Sequence, residues 1–443
     1  MRAQLRYLWF RLTASLWLVP AAMICGAIVL AMVMLTLDGS LLWDDWAEPL
    51  QWLLPVGAEG SRQLLATIAG SMITVASLVF SMTLVTLTLA SSQLGPRLIA
   101  RFMRDRINQV VLGTFLATFV YALLILQTVT DSGNERFVPH LAVLMALLLA
   151  LVSLGWLIYF IHHVADSIQA DSVIAQIGDE LSHAIKHRFP ETEGSQALPL
   201  EMPFLDRLAT PPGVVVGRES GYVQAIDAAA LLRAATREGL LIQVEARPGD
   251  FVVEGAPLLR VWPRERLSEK LADGLYDPVV IGPKRTSTQD IDFAMSALVE
   301  IALRALSPGI NDPRTAIACI DRLTQGLVEM IQLPEPPALV PDDDGTLRLI
   351  VKPAGFAEVI AAAFDPIREA GRNQAWVLRR LAEVLALLAG FVRTPEQQTI
   401  LARQAAVLDS VCREAPLDQA SRARVDESLE GLRRALAQKR AEP

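Results

Sequence analysis

Four long stretches of this chain contain no Asp, Glu, Lys or Arg and are apolar over most of their length. They cover about residues 14–37, 64–95, 108–129 and 138–161. A helix needs roughly 20 apolar residues to cross the hydrocarbon core of a bilayer. Each stretch is long enough, so the sequence predicts a four-span α-helical transmembrane domain within residues 1–164.

The composition of the 443-residue chain agrees with a membrane protein. Hydrophobic residues make up 52% of the sequence, charged residues make up 20%, and the mean hydropathy is +0.36. These values are typical of a chain whose partners include membrane lipids. The formal net charge is −8, which argues against nucleic acid as a partner, because domains that bind it are usually basic.

The arginines around the predicted spans are unequally distributed. Seven lie before the first span or between the second and third, whereas two lie in the other two connections. Short loops rich in Lys and Arg stay in the cytoplasm, so we expect both termini to be cytoplasmic.

Four of these arginines lie between the second and third spans, namely Arg97, Arg101, Arg104 and Arg106. One interpretation is that they set the topology and contact anionic lipid headgroups. The other is a cationic vestibule that draws anions toward a pore.

The second span carries many hydroxyl groups for a membrane helix. At about 100° per residue, seven of them share an arc of about 120°. The seven are Thr67, Ser71, Thr74, Ser77, Ser81, Thr88 and Ser92. Small residues let neighbouring helices approach closely, so helix packing is one explanation. Hydroxyl oxygens also replace part of an ion's hydration shell, so a pore wall is the other.

The helical pattern continues past the fourth span as an amphipathic segment over residues 165–189. Ile174, Ile177, Leu181 and Ile185 recur at three- and four-residue spacing, which forms one apolar stripe. The sequence therefore predicts a continuous helix that extends from the membrane into the cytoplasm. The stripe has two candidate partners, the protein's own next domain and a second subunit.

Residues 190–212 are rich in proline and are typical of a linker, and alternating strands follow in residues 213–263, with a short helix at 228–238. The stretch "RPGDFVVEGAPLLRV" resembles the second half of a biotinyl/lipoyl-type barrel, in which Pro-Gly-Asp and a later Gly-x-Pro form turns. Those barrels carry their cofactor on a turn lysine, and residues 213–262 contain no lysine. The resemblance implies a small β barrel-like domain without a cofactor. A helical cytoplasmic domain is predicted over residues 264–443.

Two polar clusters flank a predicted helix in this last domain. The first contains Arg285, Gln289 and Asp290, and the second contains Asn311 and Asp312. Helix capping accounts for these residue types, with Ser287 as the predicted cap of the first helix and Asp312, before Pro313, as the cap of the next. A site for a small anion or another ligand is the alternative.

The histidines add weaker candidates. Glu180, His183 and His187 lie close together on the amphipathic segment, a spacing compatible with a metal ion. A solvated helix surface is the expectation, and no metal is predicted. His162 and Asp166 form an i,i+4 pair, for which a local hydrogen bond and a pH sensor are the alternatives.

Several motifs occur in the order found in one bacterial family. The stretches "GSMITVASLVFSMTLVTLTLASSQLGPRL", "FMRDRINQVVLGTF", "YFIHHVADSIQA", "SGYVQAID" and "RALSPGINDPRTA" resemble the predicted membrane proteins grouped as domain of unknown function 2254. The resemblance implies a protein of the bacterial inner membrane with this architecture, and it supplies no activity.

Function is therefore predicted from the residues. The sequence contains no Gly-rich phosphate loop, HExxH, GxSxG or kinase signature, so neither an enzyme nor a cofactor is expected. One hypothesis is a homo-oligomeric ion channel, lined by the second span and regulated by the cytoplasmic part. The alternative is a non-conducting membrane scaffold or sensor whose cytoplasmic domain binds a partner or ligand.

Overall fold

The computed structural model divides into two compact units, residues 1–172 and residues 173–443. The residues that it describes are 17–39, 57–94, 105–132, 135–167, 169–186, 210–286, 289–333, 338–352 and 355–441.

The N-terminal unit contains four helices that are long and apolar enough to cross a membrane. They are α1 (Leu18–Asp38), α2 (Ala58–Leu94), α3 (Arg106–Thr128) and α4 (His140–Ser167). An antiparallel hairpin of β1 (Thr130–Ser132) and β2 (Glu135–Phe137) joins α3 to α4. The prediction of four candidate spans is confirmed, and each helix overlaps its predicted segment.

Helix α3 is the central helix of this bundle and packs against the other three. Its Phe115 and Tyr121 side chains are at most 1% exposed. A Cβ at Gly113 would lie 2.5 Å from Met23 Sδ and 3.2 Å from Pro20 Cα. The glycine therefore permits a close approach of α1 to α3, as small residues do between membrane helices.

Polar side chains also join the helices. Asp38, the last residue of α1, accepts hydrogen bonds of 2.9 Å from the backbone N–H groups of Leu141 and Ala142, so it caps the start of α4. The Thr118 and Ser153 hydroxyls share a hydrogen bond of 3.1 Å between α3 and α4. These pairings satisfy polar groups inside the bundle, as burial away from water requires.

The structure divides the predicted continuous helix in two. Helix α4 ends at Ser167, and a separate helix, α5 (Ala170–Lys186), follows it. The Gln169 N–H donates to Asp166 O at 3.2 Å, an i to i−3 bond typical of a helix end. Asp171 lies in the first turn of α5, where an acidic side chain favours a helix start. The apolar stripe does not reveal this boundary.

The strands of the C-terminal unit form two sheets. They are β3 (Gly213–Val216), β4 (Gly221–Ile226), β5 (Leu241–Val244), β6 (Phe251–Val252), β7 (Pro257–Trp262), β8 (Val279–Gly282), β9 (Leu339–Pro341) and β10 (Leu347–Ile350). One sheet has the order β3-β7-β5-β10-β9 and the other has the order β6-β4-β8. The β5–β10 pair is parallel and the other pairs are antiparallel.

The prediction of a β barrel-like domain is not supported, because neither sheet closes on itself among the described strands. The predicted turns do form, with Gly249 at a φ of 97° and Gly255 at a φ of 82°, backbone conformations that favour glycine. The strands around these turns separate into two sheets that share one apolar core. Strand β10, from a later part of the chain, pairs with β5. A local turn motif contains no information about that distant partner.

The helices of this unit include α6 (Ala228–Glu238), α7 (Glu269–Tyr276), α8 (Ile291–Ala305), α9 (Pro313–Gln332), α10 (Phe356–Ala370), α11 (Ala375–Phe391), α12 (Pro395–Glu414) and α13 (Gln419–Ala441). Helix α6 matches the predicted short helix. Asp312 caps α9 and Pro313 is its first residue, as predicted. The cap of α8 is Asp290, whose side chain accepts from the Phe293 N–H, and the predicted cap Ser287 lies outside the described residues.

The apolar stripe of α5 packs on α9 within the C-terminal unit. Leu181 and Ile185 are 1% and 2% exposed. A Cβ at Gly326 of α9 would lie 2.8 Å from Leu181 Cδ2 and 3.2 Å from Ile185 Cδ1. Ser182 Oγ donates to Glu329 Oε1 at 2.9 Å. Of the two candidate partners for the stripe, the structure shows the protein's own next domain.

Candidate functional site

Helix α2 has two chemically different faces. Its inner face is apolar, and Leu65, Ala69, Ala76 and Val79 are at most 3% exposed. The first two belong to a core that includes residues of the other three helices, and the last two belong to a core with residues of α3 and α4. Because this face is buried, the rotation of α2 about its own axis is fixed, and so is the set of residues on its opposite face.

The opposite face carries the hydroxyl arc and is exposed. Six of the seven predicted pore-lining residues are exposed, namely Thr67, Ser71, Thr74, Ser77, Ser81 and Thr88. The side chain of the seventh, Ser92, lies outside the described part of the chain. Leu78 and Val85 interrupt the arc and are 62% and 57% exposed. The arc therefore faces away from the other three helices of the bundle.

The hydroxyls of this arc donate to the backbone of their own helix. Thr67, Thr74, Ser77 and Thr88 each donate to the carbonyl oxygen four residues earlier, at 2.7–2.9 Å. Such bonds satisfy the hydroxyl hydrogen without a partner from another helix. The oxygen lone pairs remain available to accept from water or to contact a cation.

Gly70 lies on the same exposed face of α2. Among the described residues, nothing lies within 4 Å of where its Cβ would be. A glycine at this position leaves room for another helix to approach the backbone of α2.

A histidine and a carboxylate pair where α3 begins and α4 ends. His163 Nε2 is 2.6 Å from Asp105 Oδ2, and both side chains are 22% exposed. The other oxygen of Asp105 accepts from the Ile107 N–H at 2.9 Å and caps α3. The predicted pair of His162 and Asp166 also forms, at 3.3 Å, with side chains 75% and 57% exposed.

The Asp105–His163 pair is not evident from the sequence, because the two residues are 58 positions apart. One signal was available. Asp105 is the acidic residue within an arginine-rich connection, and alternating spans bring that connection and the end of the fourth span to the same side of a bundle.

Of the four arginines between α2 and α3, the structure describes Arg106, which is the exposed first residue of α3. Arg97, Arg101 and Arg104 lie outside the described residues. The vestibule and the lipid contact both stay predictions.

The first predicted ligand cluster consists of structural contacts. Arg285 donates to both carboxylate oxygens of Asp290 at 2.7 and 2.8 Å, and this hydrogen-bonded carboxylate raises the pKa of Arg285. Gln289 bonds to both the N–H and the carbonyl of Ile226, at 2.9 and 3.2 Å. A Cβ at Gly249 would clash with the Asp290 carboxylate, so the turn closes tightly over the ion pair.

The second cluster also serves the fold. Asp312 accepts from the backbone of Arg314 and Thr315 and from the Thr315 hydroxyl, and the hydroxyl bond lowers the pKa of Asp312. Asn311, at a φ of 49°, accepts from Gln374 Nε2 at 2.7 Å. The two clusters lie at opposite ends of α8, which is 15 residues long. The structure therefore does not bring them into one site.

The weak metal candidates lie on α5. Glu180 and His183 are exposed, and His187 lies outside the described residues. Within the described ranges, no group of three or more His, Cys, Asp or Glu side chains is arranged to hold a metal ion.

Comparison with known proteins gives a consistent assignment. A family profile described as "Predicted membrane protein (DUF2254)" matches residues 13–387. An uncharacterised protein of Mycobacterium bovis is 33% identical over 374 residues, which cover 82% of this chain and 70% of that protein. An uncharacterised protein of Mycobacterium tuberculosis matches with the same identity and coverage. No solved structure matches this chain. The chain belongs to the family of predicted membrane proteins grouped as domain of unknown function 2254.

Proposed function

We propose that the chain is one subunit of an oligomeric ion channel in the bacterial inner membrane, with the hydroxyl arc of α2 along the ion path. The observation that carries the proposal is the rotation of α2. Its apolar face packs on its own bundle and its hydroxyl arc lies on the surface of the subunit. Polar side chains of membrane helices usually face the bundle interior or a water-filled cavity. A hydroxyl arc that faces outward therefore favours a neighbour other than lipid.

Oligomerisation is part of this proposal, because one helix cannot enclose a path. Copies arranged around a symmetry axis can each turn the arc of α2 toward that axis, and closed cyclic assemblies are common among homo-oligomers. The exposed Gly70 and the small hydroxyl residues permit close contact between neighbouring α2 helices.

The arc offers two chemical elements of a pore. Because Thr67, Thr74, Ser77 and Thr88 donate their hydrogens to their own helix, their oxygens face outward as acceptors, which favours water and cations. In a symmetric assembly, Leu78 and Val85 form apolar rings within the same path. Apolar constrictions can gate a channel by excluding water.

The arginine distribution supports an orientation with both termini in the cytoplasm. In that orientation the arginines between α2 and α3 lie at the cytoplasmic end of the path or contact anionic headgroups. The C-terminal unit, which the chain enters directly after α4, is then the regulatory part.

A non-conducting scaffold or sensor is the second candidate. Leu78 and Val85, which lie within the arc, favour it, because apolar side chains suit a dry contact between α2 helices of neighbouring subunits. In this case the hydroxyl arc assembles the subunits and the C-terminal unit binds a partner or ligand.

Native mass spectrometry and planar-bilayer recordings on one purified preparation test the proposal. A channel predicts a defined oligomer that produces unitary currents. A defined oligomer that passes no current at any voltage or tension supports the scaffold. A monomer in a native-like bilayer contradicts both candidates.

A further inference from the structure

We propose that the Asp105–His163 pair is a pH-dependent latch between α3 and α4, closed when His163 is protonated. The latch concerns the packing of two helices within one subunit. It goes beyond the proposed conduction and does not depend on it.

Contacts other than their mutual hydrogen bond hold both side chains of the latch in place. One oxygen of the Asp105 carboxylate caps α3 through the Ile107 N–H, so the carboxylate cannot turn away without uncapping the helix. The His163 ring is stacked with Tyr159, one turn earlier on α4, at 6.2 Å between ring centroids and 8° between planes. The contact of 2.6 Å between His163 Nε2 and Asp105 Oδ2 is therefore made by two side chains that other contacts also hold in position.

The exposure of the pair suits a switch. Each side chain is 22% exposed, so water screens the attraction between the two groups less than it does in a surface ion pair. Each still reaches water, so protons can exchange. The exposed pair of His162 and Asp166 lacks this shielding and joins two positions on one helix, so its charge state does not tie α3 to α4.

Among the described residues, the charged neighbours of the latch are few. On α3 the neighbouring charged residue is Arg106, and on α4 the neighbours are His162 and Asp166, which pair with each other. Residues 82–89 of α2 contain no titratable side chain. Arg104 precedes Asp105 in the sequence and lies outside the described residues. Among the described residues, Asp105 is the carboxylate that contacts His163.

The layer next to the latch contains a polar group that opposes tight packing. Asn108, one turn into α3, is 7% exposed, and its Oδ1 has no hydrogen-bond partner among the described residues. A buried polar atom without a partner destabilises the packed state. A weaker Asp105–His163 bond is therefore expected to let this end of α3 open more often.

The sign of the effect follows from the charges. Histidine changes charge within the physiological pH range. When His163 is protonated, a cation bonds to the Asp105 carboxylate, and such charge-assisted bonds are stronger than neutral ones. A neutral His163 gives a weaker bond to the same carboxylate. The start of α3 is held at acid pH and opens more readily at alkaline pH.

Hydrogen exchange of residues 105–112, measured by mass spectrometry on the full chain in lipid nanodiscs, tests the latch. After correction for the intrinsic exchange rate, we expect the fraction of wild-type protein in which residues 105–112 are open to increase about tenfold between about pH 6 and about pH 8.5. A tenfold change corresponds to the lower end of the stabilisation that hydrogen bonds to charged groups provide. His163→Gln should open readily at both pH values. His162→Gln is the matched control, and it should retain the wild-type difference.

Asp105→Asn separates the latch from the helix cap, because asparagine also caps helices well but carries no charge. This variant should lose the pH dependence of opening and keep helix α3 intact. It provides the test if His163→Gln fails to fold. The proposal is overturned if wild type shows no pH dependence, if His163→Gln retains it, or if His162→Gln abolishes it. These results are independent of whether the protein conducts.

Discussion

Helices α2 and α4 belong to the same bundle, but their outward faces differ. On α4 the exposed face is apolar, and Leu148, Leu151, Leu154 and Ile158 are 52–66% exposed. Its Ser153 is fully buried and bonds to Thr118 of α3. On α2 the hydroxyls of the arc are outside, together with apolar side chains such as Leu78 and Val85, and the buried face is mainly aliphatic, with Thr86 as a buried hydroxyl residue.

On the proposed function, the outward face of α4 contacts lipid and the hydroxyl face of α2 does not. Helix α4 follows the rule that polar atoms are hidden from hydrocarbon. Helix α2 places hydroxyls outward while it satisfies their hydrogens on its own backbone. The two helices share one subunit and one core, so experiments on matched positions can compare the surroundings of the two faces.

The largest expected difference is in the response to a buried charge. Thr74 and Leu154 each lie near the middle of a candidate span. Leu154→Asp should weaken insertion by about 2.5–3.5 kcal/mol, the cost of Asp at the centre of a membrane helix. Thr74→Asp should cost much less, because a carboxylate that faces a water-filled path stays hydrated. The yield of folded protein in the membrane fraction measures both variants, and equal losses would show that the two faces have the same surroundings.

A bulky apolar side chain should have an intermediate effect. Ser81→Leu on α2 should reduce unitary conductance because it narrows the path and removes a polar contact, whereas the control Ile158→Leu on α4 should leave the current unchanged. If the arc is a dry contact between subunits, Ser81→Leu should instead weaken assembly by about 1–2 kcal/mol per lost contact. Bilayer recordings and native mass spectrometry of the same variants distinguish the two outcomes.

The smallest expected effect concerns single hydroxyls. Ser153→Ala removes the hydrogen bond to Thr118 and should destabilise the bundle by about 0.6 kcal/mol, the mean for such bonds between membrane helices. Thr74→Ala should have almost no effect on the stability of the subunit, because that hydroxyl bonds to its own helix. Unfolding of the monomer in detergent measures the difference. A larger loss for Thr74→Ala would show that its hydroxyl stabilises the subunit itself.

Sequence predicted the features that depend on local pattern. Long uncharged stretches predicted the four candidate spans, and a 100° helical period grouped the hydroxyls that the structure finds exposed on α2. Capping chemistry predicted the start of α9 at Asp312 and Pro313. Each of these signals lies within a few turns of chain.

The features that sequence did not predict depend on distant contacts. Periodicity places the hydroxyls on one arc, but the direction of that arc is set by how Leu65 and Val79 pack against other helices. The pairing of β10 with β5 joins strands separated by several helices and linkers. The Asp105–His163 pair likewise requires the ends of two spans to meet.

The proposed channel requires that the hydroxyl face of α2 meets water while the outward face of α4 meets lipid. Cysteine accessibility tests it directly, in a background where the exposed Cys25 is replaced by alanine and the buried Cys319 and Cys412 are retained. Single cysteines at Thr67, Thr74 and Ser81, and at Leu148, Leu154 and Ile158, are treated in membranes with a charged, water-soluble thiol reagent. We expect rapid modification at the three α2 positions and slow modification at the three α4 positions. Equally slow modification on both helices would show that the arc does not meet water.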